Sequence, residues 1–267
     1  SAYVTTKAIA AGAFLVPLLA IILGYEVSNT TKLISVGLSL VFLGLTGLFL
    51  VMDLDRPDRF LNVLLRPQWN SWLVKGGYTI SIFGLLMTLW GAATFFEWNI
   101  PENVLLGLTG FFGIILAIYT AFLFAQAKGR DFWQSPTLPL HMLVHSVLAG
   151  AAVFAILAVV LKPEGWMETL GTIISISLLV NLLTLVSELT ITHPTKAAKK
   201  VVSMILKGQY QGLFWFGTIV VGNIVPLILI QFFPSTLTIA GSGILILIGI
   251  YITEKIWVEA PQRIPLA

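Results

Sequence analysis

Residues 103–125 read NVLLGLTGFFGIILAIYTAFLFA, a run of 23 residues without a charged side chain. A helix that crosses the hydrocarbon core of a bilayer needs about 20 mostly apolar residues, so this run predicts a membrane span. Seven other runs share its length and character, and none shows the alternation typical of a β-strand. The predicted spans are roughly 5–24, 33–52, 76–96, 103–125, 140–161, 168–189, 212–233 and 236–256.

The composition of the whole chain excludes a soluble globular protein. Of the 267 residues, 57% are hydrophobic and 10% are charged, and the mean hydropathy is +0.95. A soluble domain is about 25% charged, so this chain has too few charges to cover a surface that faces water. Disorder is excluded as well, because it requires low hydrophobicity and high net charge. The sequence therefore predicts an all-α membrane protein with eight transmembrane helices.

The residues that hold redox metals are scarce. The chain has no cysteine, so we expect it to carry no iron–sulfur cluster of its own. Its three histidines are too few for the four axial ligands of a di-haem protein, and His193 falls in a loop. His141 and His145 share one helix face but lack a third ligand nearby in the sequence, which argues against zinc. We therefore predict neither haem nor a metal site in this chain.

The basic residues gather on one side of the membrane. Eight spans place both ends of the chain on the same side, here called side A, and the opposite side is side B. Side B has only Lys32 and Lys162, whereas side A has Arg56, Arg59, Arg66, Lys75, Lys128, Arg130, Lys196, Lys199, Lys200, Lys207, Lys255 and Arg263. The positive-inside rule would place side A in the cytoplasm. The alternative is that this basic face docks an acidic protein partner, and neither interpretation requires nucleic acid.

The two halves of the sequence resemble each other weakly at a spacing of about 138 residues. Lys7 and Gly12 of the first span match His145 and Gly150 of the fifth. The other matches are Asp53 with Glu188, 65–69 with 206–210, and 118–119 with 250–251. A repeat of four spans returns the chain to the side on which it began, so the second repeat has the same orientation as the first. We therefore predict a parallel repeat of two four-helix bundles, 1–130 and 131–267. Chance similarity among apolar helices is the alternative.

Polar side chains inside the spans are functional candidates, because burying them in a bilayer is energetically unfavourable. Most lie toward side A, and only Asn181 and Asn223 approach the midplane. Glu254 and Lys255, at the end of the last span, have the alternative role of marking the membrane boundary. A tyrosine hydroxyl and a histidine can hydrogen-bond the two carbonyls of a quinone, and an acid can exchange its protons. The pattern therefore favours a quinone pocket near side A.

Two motifs resemble the NrfD/polysulfide reductase membrane-anchor family. Residues 53–60 (DLDRPDRF) with 64–72 (LLRPQWNSW) resemble the family's loop after its second helix. Residues 119–123 (YTAFL), followed by 133–136 (WQSP), resemble its fourth helix and next loop. Weaker similarities at 208–226 and 260–266 extend the resemblance over nearly the whole chain.

That resemblance implies a multi-pass subunit of the inner membrane that binds menaquinone or ubiquinone and holds no haem. It also implies a ferredoxin-like iron–sulfur partner, often with a molybdopterin catalytic subunit or a multihaem cytochrome. In several relatives the cluster-bearing partner docks on the periplasmic face. That analogy would place side A outside the cytoplasm, whereas the positive-inside rule places it inside. The family often has Asn and His near the start of helix 1, where this chain reads YVTTK at 3–7, so Lys7 or His141 would substitute.

The leading hypothesis is a quinone-binding anchor that exchanges electrons with an iron–sulfur partner. A second hypothesis adds proton translocation. The candidates for quinone contact are Tyr119, His141, Lys7 and Asp53. Those for proton transfer are Glu188, His145, Asn181 and Asn223. Those for partner docking are Arg56, Arg59, Arg66, Trp69 and Trp72. The alternatives are a secondary transporter, whose site would lie nearer the midplane, and a purely structural anchor.

Overall fold

The structure, a computed structural model, describes residues 2–52, 65, 67–161, 166–191 and 195–265. The described part of the chain is helical and contains no strand. Its helices are α1 (Ala2–Ile22), α2 (Asn29–Met52), α3 (Trp72–Phe95), α4 (Glu102–Ala125), α5 (Leu138–Leu161), α6 (Trp166–Thr190), α7 (Lys196–Leu206), α8 (Leu213–Phe232) and α9 (Thr236–Gln262). A short 3₁₀ turn, Asp131–Gln134, precedes α5.

Eight of these helices, all except α7, are long and apolar enough to cross a membrane, which confirms the predicted spans. The largest difference is α9, which continues past the predicted end at residue 256 to Gln262. Its last turns leave the apolar region but remain packed, because Trp257 and Ala260 are buried. Tertiary packing therefore extends this helix beyond the length that hydropathy predicts.

Helix α7 lies in a segment that the hydropathy pattern assigned to a loop. It buries Ala198, Val201 and Ile205 on one face, and exposes Lys196, Lys199 and Lys200 on the other. Thr195 caps its start by accepting a 3.2 Å hydrogen bond from the Ala198 amide. A short helix with an apolar and a lysine-rich face is typical of the membrane interface.

Helices α1 and α5 cross at the centre of the molecule, where Gly12 meets Gly150. A Cβ atom on Gly12 would lie 1.8 Å from the Ser146 carbonyl oxygen, and one on Gly150 would lie 2.1 Å from the Gly12 carbonyl carbon. The two backbones therefore touch, as small residues allow in membrane helices. This contact joins the segment 1–130 to the segment 131–267. The internal repeat and the division into two four-helix bundles stay predictions.

Helix α8 begins as a π-helix over Leu213–Ile224 and continues as an α-helix from Val225. Within this segment the Asn223 side chain also bonds the backbone, because its Nδ2 donates to the Thr218 carbonyl oxygen at 2.7 Å. Gly222 faces α9 closely, since an added Cβ would lie 2.6 Å from the Gly249 Cα. π-helical segments are frequent at functional sites, and hydropathy alone gave no sign of this one.

Candidate functional site

Ionisable and phenolic side chains from five helices are buried together toward side A. None is more than 4% exposed, and the set is Lys7, Tyr119, His141, His145, Glu188 and Glu254. They come from α1, α4, α5, α6 and α9, so the tertiary fold assembles them. Because charged groups are strongly disfavoured in a bilayer, such a cluster is stable only where its members satisfy one another.

Lys7 and Tyr119, two of the candidates for quinone contact, are neighbours. The Lys7 Nζ donates to the Ala117 carbonyl oxygen at 2.6 Å and lies 5.2 Å from the centroid of the Tyr119 ring. The Tyr119 hydroxyl contacts the hydroxyl of Tyr3. Tyr3 stands four residues before Lys7, on the same face of α1, and sequence reasoning did not single it out. Two signals were available: the i, i+4 spacing from Lys7, and the family resemblance, which singled out the segment 3–7.

Gly76 on α3 determines where the Tyr119 ring lies. A Cβ on Gly76 would be 2.4 Å from the Tyr119 Cε2 atom, well inside van der Waals contact. The ring is 1% exposed and also faces Lys7, so it has little room to retreat. The absence of a side chain at Gly76 therefore allows Tyr119 its observed position.

His141 pairs with Glu188 and not with Tyr119. The His141 Nδ1 lies 2.7 Å from the Glu188 Oε2, which joins α5 to α6. The Trp257 ring lies 5.1 Å from the His141 ring, centroid to centroid. Trp133 holds Trp257 by donating its indole N–H to the Trp257 carbonyl oxygen at 2.8 Å. The fold thus brings a candidate for quinone contact together with a candidate for proton transfer.

His145 extends this pair toward α9. Its ring centroid lies 4.2 Å from that of His141, and its Nδ1 lies 3.7 Å from the Glu254 Oε1. The Glu254 Oε2 accepts a 2.6 Å hydrogen bond from the Thr5 hydroxyl on α1. Glu254 is therefore a buried member of the cluster, and the alternative of a boundary marker is wrong for it. Lys255 is half-buried, and within the described part of the chain it pairs with Glu259 at 3.9 Å, which suits a boundary position.

Asn181 and Asn223 form a separate pair deeper in the membrane. The Asn181 Nδ2 donates to the Asn223 Oδ1 at 2.8 Å. Asn181 precedes Glu188 by seven residues, about 10 Å along α6. Hydroxyls continue from this pair toward side A, because Thr253 donates to the Thr218 hydroxyl at 2.9 Å, and Thr253 immediately precedes Glu254. Polar groups therefore reach from the midplane to the histidines.

The residues assigned to partner docking are only partly described. Arg56, Arg59 and Arg66 lie outside the described residues, and so does Asp53, a candidate for quinone contact. Trp69 is 57% exposed at the surface of side A. Trp72 instead stacks on Phe122 at 4.5 Å between ring centroids, and its amide donates to the Gln126 Oε1 at 2.9 Å. Trp72 therefore has a structural role at the start of α3.

The described residues contain no group of three or more His, Asp or Glu side chains arranged to hold a metal ion. The hydrogen-bond donors at this site are the Lys7 ammonium and the hydroxyls of Tyr3 and Tyr119. Such groups hydrogen-bond to carbonyl oxygens, which is the chemistry a quinone headgroup requires.

Comparison with known proteins identifies the family. Residues 2–258 match the family described as polysulphide reductase, NrfD. A selenate reductase subunit of Mesobacillus selenatarsenatis is 23% identical over 76% of this chain, which spans only 59% of that relative's length. The NrfD homologue of Haemophilus influenzae is 24% identical, with 78% of this chain and 73% of that protein covered. This chain therefore belongs to the polysulphide reductase NrfD family of multi-pass membrane proteins.

Proposed function

We propose that this protein is the quinone-binding membrane subunit of a respiratory reductase complex. It exchanges electrons between the membrane quinone pool and an iron–sulfur subunit on side A. The observation that carries this proposal is the buried pair of Lys7 and Tyr119, backed by Tyr3, at the side A ends of α1 and α4. The name of one relative, a selenate reductase subunit, and the description of the family as polysulphide reductase support a place in a reductase complex.

The chemistry follows from the donors. A quinone carbonyl oxygen accepts hydrogen bonds from the Lys7 ammonium and from a tyrosine hydroxyl, which hold the headgroup near side A. Reduction of one quinone consumes two electrons and two protons, and oxidation of the quinol returns both. The electrons pass to or from the partner's cluster, since this chain has no cysteine to bind one. Menaquinone and ubiquinone both present the two carbonyls that this site would bind.

A groove on the lipid side of α2 and α3 suits the isoprenoid tail of such a quinone. It has a volume of about 430 Å³ and is lined by Leu40, Leu43, Gly44, Gly47, Leu50, Gly77, Ile80, Ser81 and Gly84. Gly77 directly follows Gly76, whose backbone packs against the Tyr119 ring. The proposal places the headgroup at Tyr119 and the tail in this groove, whose largely apolar lining matches the tail's chemistry.

The histidine–carboxylate pairs supply a route for the protons of the quinone. His141 with Glu188, and His145 with Glu254, form a buried series of exchangeable groups. Imidazole and carboxylate groups in hydrogen-bond range, as His141 and Glu188 are at 2.7 Å, pass protons efficiently. His145 and Glu254, whose Nδ1 and Oε1 lie 3.7 Å apart, would have to approach each other before a proton passes between them. The Asn181–Asn223 pair and Thr253 extend the series to the midplane. We propose that this series forms part of a proton path that runs inward from side A, past the quinone site, to the midplane.

The basic surface of side A is suited to an acidic, ferredoxin-like subunit. The four lysines on and directly after α7 are exposed there: Lys196, Lys199, Lys200 and Lys207. Opposite charges speed association and orient the partners. The substrate of the complex would bind to a further catalytic subunit, a molybdopterin protein or a multihaem cytochrome.

Replacing Tyr119 with Phe tests the proposal. The variant removes one hydroxyl and keeps the ring against Gly76, so the complex should assemble. Quinol-dependent turnover in liposomes should fall roughly tenfold, as the loss of one hydrogen bond to a bound headgroup implies. Tyr251→Phe is the matched control, since Tyr251 is 44% exposed on the lipid face of α9. Equal turnover of the two variants would exclude Tyr119 from the quinone site.

A secondary transporter is the second candidate, and one observation favours it. The Asn181–Asn223 pair lies near the midplane, where α8 departs from regular α-helical winding, as transporter sites often do. Gentle purification separates the two functions. A reductase subunit would elute with an iron–sulfur protein, visible by its absorbance, whereas a transporter would elute without one.

A further inference from the structure

A second cavity lies at side B, on the membrane face opposite Tyr119. Its volume is about 440 Å³, and it is framed by the start of α2, the end of α3 and the start of α4. Its polar lining includes Asn29, Lys32, Trp90, Glu97, Trp98 and Glu102. None of these residues belongs to the quinone site or to the proton series, so the cavity has no role in the function proposed above.

Trp90 gives the cavity an unused hydrogen-bond donor. The side chain is 1% exposed, and its Nε1 has no hydrogen-bond partner within the described part of the chain. The ring is held edge-on by Phe14, with centroids 5.2 Å apart, so it cannot turn away freely. Buried N–H groups nearly always have an acceptor. A donor of this kind in a cavity wall points to a ligand that brings the acceptor.

The charges around the cavity are of both signs. Lys32 lies 2.6 Å from the Glu102 Oε1, Nζ to oxygen, and this pair links α2 to α4. The positive ends of these two helices also point toward the cavity and favour an anion. Glu97 adds a second carboxylate at the rim. Among the described non-glycine residues, only Glu97 has a left-handed backbone, with φ of 51°. A ligand that satisfies both sets of charges carries an anion and a cation.

The surroundings place the cavity at the level of the lipid headgroups. Phe95, Phe96 and Trp98 are each more than half exposed beside it. Exposed aromatic rings at a helix end mark the boundary between hydrocarbon and headgroups. A phospholipid of the side B leaflet would therefore meet this opening with its headgroup.

We propose that the side B cavity binds the headgroup of a phospholipid with a primary ammonium, such as phosphatidylethanolamine. The phosphate accepts hydrogen bonds from the Trp90 indole and the Lys32 ammonium, between the positive ends of α2 and α4. The ethanolamine ammonium donates to the Glu97 carboxylate and lies against the Trp98 ring. An anionic headgroup without a cation would leave the Glu97 carboxylate unpaired and is disfavoured by it.

Lipid retention tests the proposal without any assay of electron transfer. The full chain, with the subunits that accompany it, is exchanged into nanodiscs of equal phosphatidylethanolamine, phosphatidylcholine and phosphatidylglycerol. After delipidation, the lipids that stay bound are counted by native mass spectrometry. Phosphatidylethanolamine should remain in preference to the other two. Trp90→Phe should weaken its retention roughly tenfold, and Glu97→Gln should remove the preference over phosphatidylcholine.

Matched variants make the result decisive. Trp166→Phe removes another buried, unpartnered indole N–H at side B, outside this cavity, and should leave the retained lipid unchanged. Glu26→Gln is the corresponding control for Glu97→Gln. Equal retention of the three lipids, or an unchanged preference in Glu97→Gln, would overturn the proposal. A preference for phosphatidylglycerol would replace it by an anion site. Tyr119→Phe should not alter the retention of phosphatidylethanolamine, so the lipid site and the quinone site are tested independently.

Discussion

His141 on α5 and Glu188 on α6 form a buried pair, with the histidine Nδ1 2.7 Å from the carboxylate Oε2. Both side chains are almost fully removed from solvent, at 2% and 0% exposure. The pair joins two residues that the sequence suggested for different tasks, quinone contact and proton transfer. Its position between the quinone site and the midplane asparagines makes it the centre of the proposed proton route.

Glu188→Gln should slow quinol-driven proton release. Glutamine keeps the size of the side chain and an oxygen for the His141 Nδ1, but it cannot bind or release the proton. We expect release from liposomes to fall by about a hundredfold, the lower end of what a positioned acid–base group contributes. Glu168→Gln, at the exposed side B end of the same helix, is the control. Unaltered release in Glu188→Gln would remove Glu188 from the route.

Gly76→Ala should disturb the quinone site without touching a polar group. The new methyl would start 2.4 Å from the Tyr119 ring, so the ring or α3 must shift. Overpacking of this kind destabilises by about 1–3 kcal/mol, and the displaced hydroxyl should raise the KM for quinol. Gly107→Ala is the control, since no atom lies within 4 Å of the new Cβ, and it should change neither the stability nor the KM for quinol. Normal quinol kinetics in Gly76→Ala would show that the position of Tyr119 is not critical.

Gly47→Leu should discriminate quinones by tail length. The leucine fills the α2–α3 groove, and a Cβ at Gly47 meets no atom within 4 Å, so the helix should still fold. Turnover with a long-chain quinol should fall, while a short-chain analogue should react as in the wild type. Gly37→Leu is the control, because it adds the same side chain to α2 at another open position outside the groove. Equal losses with both quinols would argue against a tail in this groove.

Gly12→Ala should prevent the close crossing of α1 and α5. The Cβ would meet the Ser146 carbonyl oxygen at 1.8 Å, and a backbone atom cannot move aside as a side-chain end can. We expect destabilisation at or above the roughly 3 kcal/mol upper range of overpacking, measured as a lower unfolding midpoint in detergent. Gly37→Ala provides the control at an open site on α2. A midpoint equal to that of the control would contradict the observed crossing.

Hydropathy and residue counts determined the fold class. Eight apolar runs of spanning length leave the backbone no other way to satisfy its hydrogen bonds in lipid, so the helices follow from the sequence alone. The motifs at 53–72 and 119–136 were specific enough to indicate the family. The clustering of polar residues toward side A was visible as well, because span number assigns each helix end to a side.

The pairing inside that cluster depended on tertiary structure. Tyr3 meets Tyr119 across 116 residues, and Thr5 meets Glu254 across 249. No local pattern encodes such contacts, because they depend on which helices are neighbours and how each is rotated. For the same reason Glu254 resembled a boundary charge in the sequence, and Gly76 resembled any other glycine in a span.

The sequence by itself therefore determined the class, the family and the face of the membrane where polar groups collect. The structure decided which groups touch: Lys7 with Tyr119, His141 with Glu188, and Asn181 with Asn223. The physical reason is that hydrophobicity acts on each helix separately and is readable along the chain. The position of a hydrogen bond within a bundle is instead set by close backbone approaches, such as that of Gly12 and Gly150, which exist only in the packed fold.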